Sequence, residues 1–418
     1  MTIIIDGTVG ANKAVVLDSS GKLPAIDGSL VTTLNATQVT TGSIATARID
    51  TGTTTGKVLV LDGSGNMPAI AAGAMTGVSS ATKSASDPTV STNPSGGLGT
   101  KWINNTSGEI YILTDATAGA NVWTSTGGTS GDVQPFFFQG TVYGYSAGNG
   151  NVIEKYSYTS DANSADVGDM TSSRNQANAG GKSWTHGYVG CNSSDGKIDK
   201  WAFASDGNAT NVGNSTHWRS TQGSSSSEDY SYAHGGWWPS GATNNIDKVS
   251  HATDGNATDV GDLLGTNMTV TGHSSSTHGY SSGGDSGSGD LDVIQKYTFA
   301  SNANATDVGN LTYARFAIDG SSSTTYGYTT SGRVSGTPNS NIIEKFPYAS
   351  DTNATDVGDM ATSTRGGGAS SSRTYGYRHG GSGPTIDTIE KYSFTSDGNS
   401  ADVGNLLAAK EHLAGSQY

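Results

Sequence analysis

The chain has 418 residues, 60 of them glycine, with 14% charged side chains and a formal net charge of −14. That balance excludes the highly charged disordered class and argues against a partner with a phosphate backbone, so no nucleic acid is expected. A single cysteine, Cys191, excludes a disulfide framework and a cysteine-rich zinc site, and the longest apolar runs, Ile3 to Ile5 and Phe136 to Phe138, are too short to insert in a membrane.

Residues 1–80 carry a twofold repeat. Val15-Val16-Leu17-Asp18 followed by Gly21-Lys22-Leu23-Pro24-Ala25-Ile26 returns 44 residues later as Leu59-Val60-Leu61-Asp62 followed by Gly65-Asn66-Met67-Pro68-Ala69-Ile70. Each copy reads as two short strands around a glycine turn. Each has too few apolar residues to make a core alone, so several chains are expected to wind together. The segment resembles the β-rich shafts of phage tail fibres, which implies a homotrimer attached through this end to other virion proteins. Residues 81 to about 95 read as a Ser/Pro/Asp/Thr linker. Lys101 to Asn104, Gly108 to Leu113 and Asn121 to Thr124 then read as a small β module of three strands, similar to Trp-Ile-Asn, Gly-Glu and Val-Trp segments of phage fibre and appendage proteins. The expected divisions are 1–80, 81–133 and 134–418.

From residue 141 onward a unit of 45 to 49 residues repeats. Lysine recurs in an Ile-x-Lys segment at 155, 200, 248, 296, 345 and 391, and a Val-Gly pair ends 13 residues after each. A Gly-Tyr marker stands at Gly144, Gly187, Gly279, Gly327 and Gly376, with Ser231-Tyr232 in its place in the third unit. Segments such as Ile153 to Tyr158 alternate in period two. Asp-Gly turns such as Asp206-Gly207 mark hairpins because they accommodate positive φ. Four short strands per unit, six times over, predict an all-β chain ending in a six-bladed β-propeller. The last unit stops after its small-residue strand, at about Ala408 to Gln417, and the first unit lacks one, so the C-terminal strand is expected to complete the first sheet. The Gly-Gly pairs at 235–236, 283–284 and 380–381 resemble kelch-type propellers, although no tryptophan recurs in register. The Gly-Tyr, Ile-x-Lys and Thr-Asp-Val-Gly set is closer to repeats of structural proteins from marine bacteriophages, over about two thirds of the chain.

Four sets of residues are candidate sites. Arg174, Arg219, Arg315, Arg365 and Lys410, with Asn267 in the sixth place, precede the small-residue strands. They read either as a basic ring for anionic polysaccharide or as repeat-internal partners of carboxylates or carbonyls. The spacing from the Gly-Tyr marker to the lysine varies, at 11, 13, 17, 17, 18 and 15 residues, and length variation in one loop per unit places those loops on one face, often the binding face. That face would carry Trp237, Trp238, Arg333, His379 and residues 283–290. The tandem tryptophan suits sugar stacking or a protein contact, or else simply covers the third unit. Asp254, Asn256 and Asp259 have oxygen spacing compatible with calcium but are already explained as a turn. The repeated lysines read as structural partners of the Asp before Val-Gly on the adjacent strand.

No nucleophile elbow, histidine cluster or phosphate loop stands out, so neither catalysis nor a cofactor is expected. The resemblance implies a virion appendage that displays the repeat domain to a host-surface glycan or protein. A capsid fibre or decoration, a tail component without receptor binding, and a polysaccharide depolymerase are the alternatives.

Overall fold

The structure, a computed structural model, describes residues 19–20, 81–126, 131–176, 180–190 and 195–418. The expected shaft therefore lies, apart from Ser19 and Ser20, outside the described residues. The protein is all-β, with no helix among the described residues, and divides into two units, Met1–Val133 and Gln134–Tyr418.

In the first unit one sheet is described. Thr82–Ser84 pairs in parallel with Lys101–Asn104, and Ile110–Asp115 and Val122–Ser125 follow antiparallel. Tyr111, Leu113 and Trp123 are its core, with Trp102 and Val133 packed against them. The stretch expected as a linker is part of this module. It supplies the fourth strand, and Trp102 Nε1 donates to the Ser86 carbonyl (2.9 Å), Asn104 Nδ2 to Asp87 (2.8 Å) and Asn121 Nδ2 to the Thr92 carbonyl (2.8 Å). An edge strand needs only main-chain pairing, and Thr82-Lys83-Ser84 has no apolar alternation to announce it.

The described residues of the second unit form six antiparallel sheets. In the first, Ala414–Gln417 pairs with Tyr143–Ala147, followed by Gly150–Ser157 and Ala165–Arg174. The second runs Gly180–Lys182, His186–Val189, Lys197–Ala202, Thr210–Asn214, and the third Gly223–Ser226, Tyr230–His234, Gly241–Ser250, Thr258–Asn267. The fourth runs Thr271–Ser274, His278–Ser282, Val293–Thr298, Thr306–Asn310, the fifth Asp319–Ser322, Tyr326–Thr330, Ile342–Pro347, Thr355–Asp359, and the sixth Gly368–Ser371, Tyr375–His379, Thr388–Ser393, Ala401–Asn405. The first strand of each sheet touches the first strand of the next, and Ala414–Gln417 touches Gly180–Lys182, so the contacts form a cycle. Serines step along it: the amides of Lys182, Ser226, Ser274 and Ser322 donate to the hydroxyls of Ser226, Ser274, Ser322 and Ser371.

Three further sets of contacts join each sheet to its successor and return from the sixth to the first. The marker tyrosine packs on a ring of the next sheet, stacked in five cases and tilted in the first: Tyr145 on Phe203, Tyr188 on His251, Tyr232 on Phe299, Tyr280 on Tyr348, Tyr328 on Phe394 and Tyr377 on Tyr158, at 4.6 to 5.1 Å. Aromatic pairs of this kind contribute about 0.5–1.5 kcal/mol each beyond their burial. The lysines reach the turn of the next sheet: Lys155 to Asp206, Lys200 to Asp254, Lys248 to Asn302, Lys296 to Asp351, Lys345 to Asp397 and Lys391 to Asp161. The expected partner, the Asp before Val-Gly, is not used; Asp166, for example, accepts from the Gly168 amide at 3.0 Å. These aspartates are half exposed, so each pair adds little on its own. In the same turns an asparagine side chain accepts a main-chain amide of the preceding sheet, from Asn208 with Asp169 round to Asn163 with Asn405.

The Gly-Tyr marker has a packing cause. A Cβ at Gly144, Gly187, Gly279, Gly327 or Gly376 would overlap the ring after the repeated lysine on the paired strand: Tyr156, Trp201, Tyr297, Phe346 or Tyr392. The third sheet carries Ser231 at this place, and its paired residue is Val249. Glycine and a large ring change together.

Candidate ligand-binding face

The bases that precede the first strands do not form an open ring. Arg174, Arg219 and Arg315 have no exposed surface. Arg174 pairs with Asp199 (2.9 Å), Arg219 with Asp247 (3.2 Å) and Arg315 with Glu344 (2.7 Å), while Lys410 meets Glu154 at 2.5 Å. The acid is always the residue before the repeated lysine, and it also accepts a main-chain amide from the end of the preceding sheet, as Asp199 does from Thr171 and Glu154 from Leu407. Each base–acid pair therefore ties a sheet to the chain that leads into it. In the fourth sheet both partners are neutral: Asn267 replaces the base, and Gln295 takes the Leu264 amide at 2.7 Å. Arg174, Arg219 and Arg315 are thus corrected from ligand candidates to internal partners, because a desolvated guanidinium needs a carboxylate beside it.

Arg365 escapes that role. Its expected partner Glu390 is held instead by Arg378 from the second strand of the sixth sheet (3.2 Å). Arg365 is half-buried, bonded through Nη1 to Asn339 Oδ1 at 3.1 Å. Arg333 is also half-buried, with Nε donating to the Thr337 carbonyl at 3.1 Å. Both bases therefore lie at the loop end of the fifth and sixth sheets.

His379 is a second correction. It points inward, fully buried, with Nδ1 3.1 Å from the Tyr156 hydroxyl. Burial, helped by the charges of Arg378 and Lys410, pushes its pKa down to about 3. Its unfolded pKa is higher, so the unfolded chain binds the extra proton, and stability falls as pH drops from the ordinary histidine value toward 3. His379→Asn is expected to reduce the slope of unfolding free energy between pH 6 and 4.5 by about 1.4 kcal/mol per pH unit, measured by urea titration. An unchanged slope would contradict a buried neutral ring.

Trp237 and Trp238 form a two-residue strand on Ala242 and Gly241, between the second and third strands of the third sheet. Gly235 and Gly236 take φ of 62° and 107°, which lets the chain turn out of the second strand there. Trp237 pairs through its main chain with Ser220 (2.8 and 3.0 Å), and the Trp238 ring lies 4.4 Å from His217. This brings in Trp218, which the sequence reading did not single out. Trp218 is 51% exposed and Trp237 41%. The group joins two connections at one end of one sheet, and its signal was the His217-Trp218 pair just ahead of the buried Arg219.

The lead-in segment occupies the other end of the sheets. Lys182 Nζ donates to the Phe137 carbonyl (3.1 Å), Gln417 Nε2 to Phe138 (2.9 Å), and Gln139 Nε2 to Ser322 (2.7 Å). Lys182, Gln417 and Ser322 all close first strands, at the end away from the second-to-third-strand loops. The Asp254, Asn256 and Asp259 oxygens are engaged by Lys200, by the Asn214 amide, and by Asn245 and the Gly261 amide, the turn role rather than a calcium loop. Comparison with protein-family models and with curated proteins returns no match.

Proposed function

We propose that residues 134–418 form a six-bladed β-propeller closed by the C-terminal strand, and that the protein is a bacteriophage virion appendage whose loop face binds a host-surface polysaccharide. In this reading residues 1–80 form a homotrimeric shaft joined to other virion proteins. The cyclic contacts of the six sheets support the propeller, and the repeat and shaft patterns support the appendage. One observation carries the binding role: Trp218 and Trp237 are exposed at the loop end, opposite the lead-in segment. Exposed large apolar side chains brought to one end of one sheet mark a candidate interaction surface, as single scattered ones do not, and the flat faces of indoles suit the apolar faces of sugar rings. Arg333 and Arg365 at the same end favour an acidic polymer. Many weak sites displayed together give avidity.

Trp218→Ala with Trp237→Ala is expected to lower binding of the full chain to host cells or their purified polysaccharide tenfold or more, with the thermal midpoint unchanged, since both rings are half exposed. Unchanged binding by the folded variant would remove the loop-face site.

A further inference from the structure

Five buried carboxylates of the second unit, Glu154, Asp199, Asp247, Glu344 and Glu390, each meet a base. Asp319 meets none. It is 5% exposed, and its Oδ2 has no hydrogen-bond partner among the described residues. The equivalent residues of other first strands are Gly223, Thr271, Gly368 and Ala414, so the repeat itself requires no acid here. Asp319 lines a cavity among the first strands, together with Thr271, Gly272, Gly320, Ala369 and Phe138. Phe138 belongs to the lead-in segment at one end, while Asp319 begins its strand at the loop end. The cavity, about 40 Å³, has room for an ion or roughly three waters.

A desolvated carboxylate without a counter-charge is strongly disfavoured. Burial pushes the Asp319 carboxyl up to about 7, opposed by the charge of Arg378, which lies beyond ion-pair distance and is itself paired with Glu390, and by the nearby Gly367 main chain. We propose that this cavity binds one alkali-metal cation, with Asp319 Oδ2 as its charged ligand and the Thr271 hydroxyl and first-strand carbonyls as neutral ligands. All-oxygen chemistry excludes the softer transition metals. A single carboxylate balances a single positive charge, whereas calcium sites usually gather several carboxylates.

The test compares thermal unfolding of the full chain in sodium, potassium and tetramethylammonium chloride at equal ionic strength. A midpoint about 2–4 °C higher in sodium or potassium is expected. Asp319→Asn is expected to give the same midpoint in all three salts. Asp319→Gly, which takes the residue of Gly223 and Gly368, serves in its place should the amide disturb folding. Thallium soaked into crystals of the full chain is expected to give an anomalous peak beside Asp319. Equal wild-type midpoints in the three salts, or a cation preference that survives both substitutions, would overturn the site.

Discussion

Arg315→Asn is expected to destabilise the protein by about 3–5 kcal/mol, and adding Glu344→Gln to recover all but about 1–2 kcal/mol of that loss. The single change leaves Glu344 desolvated with no counter-charge. Arg315 and Glu344 are both without exposed surface, and the acid also holds the Thr312 amide at 2.9 Å. The double change copies the neutral Asn267 and Gln295 of the fourth sheet, where the amide contact is kept without charge. The remaining cost is the space vacated by the longer arginine. Urea unfolding of the four proteins in the cycle measures the coupling. A double variant no more stable than Arg315→Asn would show that the charge pair is not what the position requires.

The second large effect is expected at Gly327. Gly327→Ser is expected to cost about 3 kcal/mol or more in the natural background, because its Cβ would overlap the Phe346 ring. In a Phe346→Val background the same change is expected to cost about 1 kcal/mol or less. Phe346→Val alone is destabilising, because it removes a ring that packs with Tyr280 and His273. The informative quantity is therefore the difference between the two serine steps. The third sheet already contains the paired change, Ser231 opposite Val249. Equal costs in both backgrounds would mean that glycine serves its backbone rather than the facing ring.

Much of the repeat was legible in the sequence. Period-two alternation, Asp-Gly turns and the missing last strand led to the all-β sheets and to Ala414–Gln417 pairing with Tyr143–Ala147. Partners across sheets were harder. Most of the repeated lysines have an aspartate on their own sheet (Asn211 in the second unit) and another one repeat away (Asn302 for Lys248), and periodicity does not rank them; the more distant partner wins because the next turn packs against the Val-Gly backbone. The basic series left a surface ring and repeat-internal pairing both open, because recurrence says nothing about depth. The signal of burial was the fourth unit, where Asn267 and Gln295 lose their charges together. A solvent-facing ring has no reason to neutralise its base and a carboxylate in step. His379 was placed on the loop face because it follows the Gly376-Tyr377 marker, but it closes that strand and its ring turns inward onto Tyr156. Trp218 was missed because it stands in a connection of constant length, and only the main-chain pairing of Ser220 with Trp237 shows which loop it joins.

The most direct test of the display account is electron microscopy of virions labelled with antibody fragments raised against the loop segments 283–290 and 333–339. Label is predicted at the outer ends of tail appendages. Label confined to the capsid would contradict the tail placement, and particles that carry the protein yet leave these loops unlabelled would contradict the outward-facing loop end on which the receptor role rests.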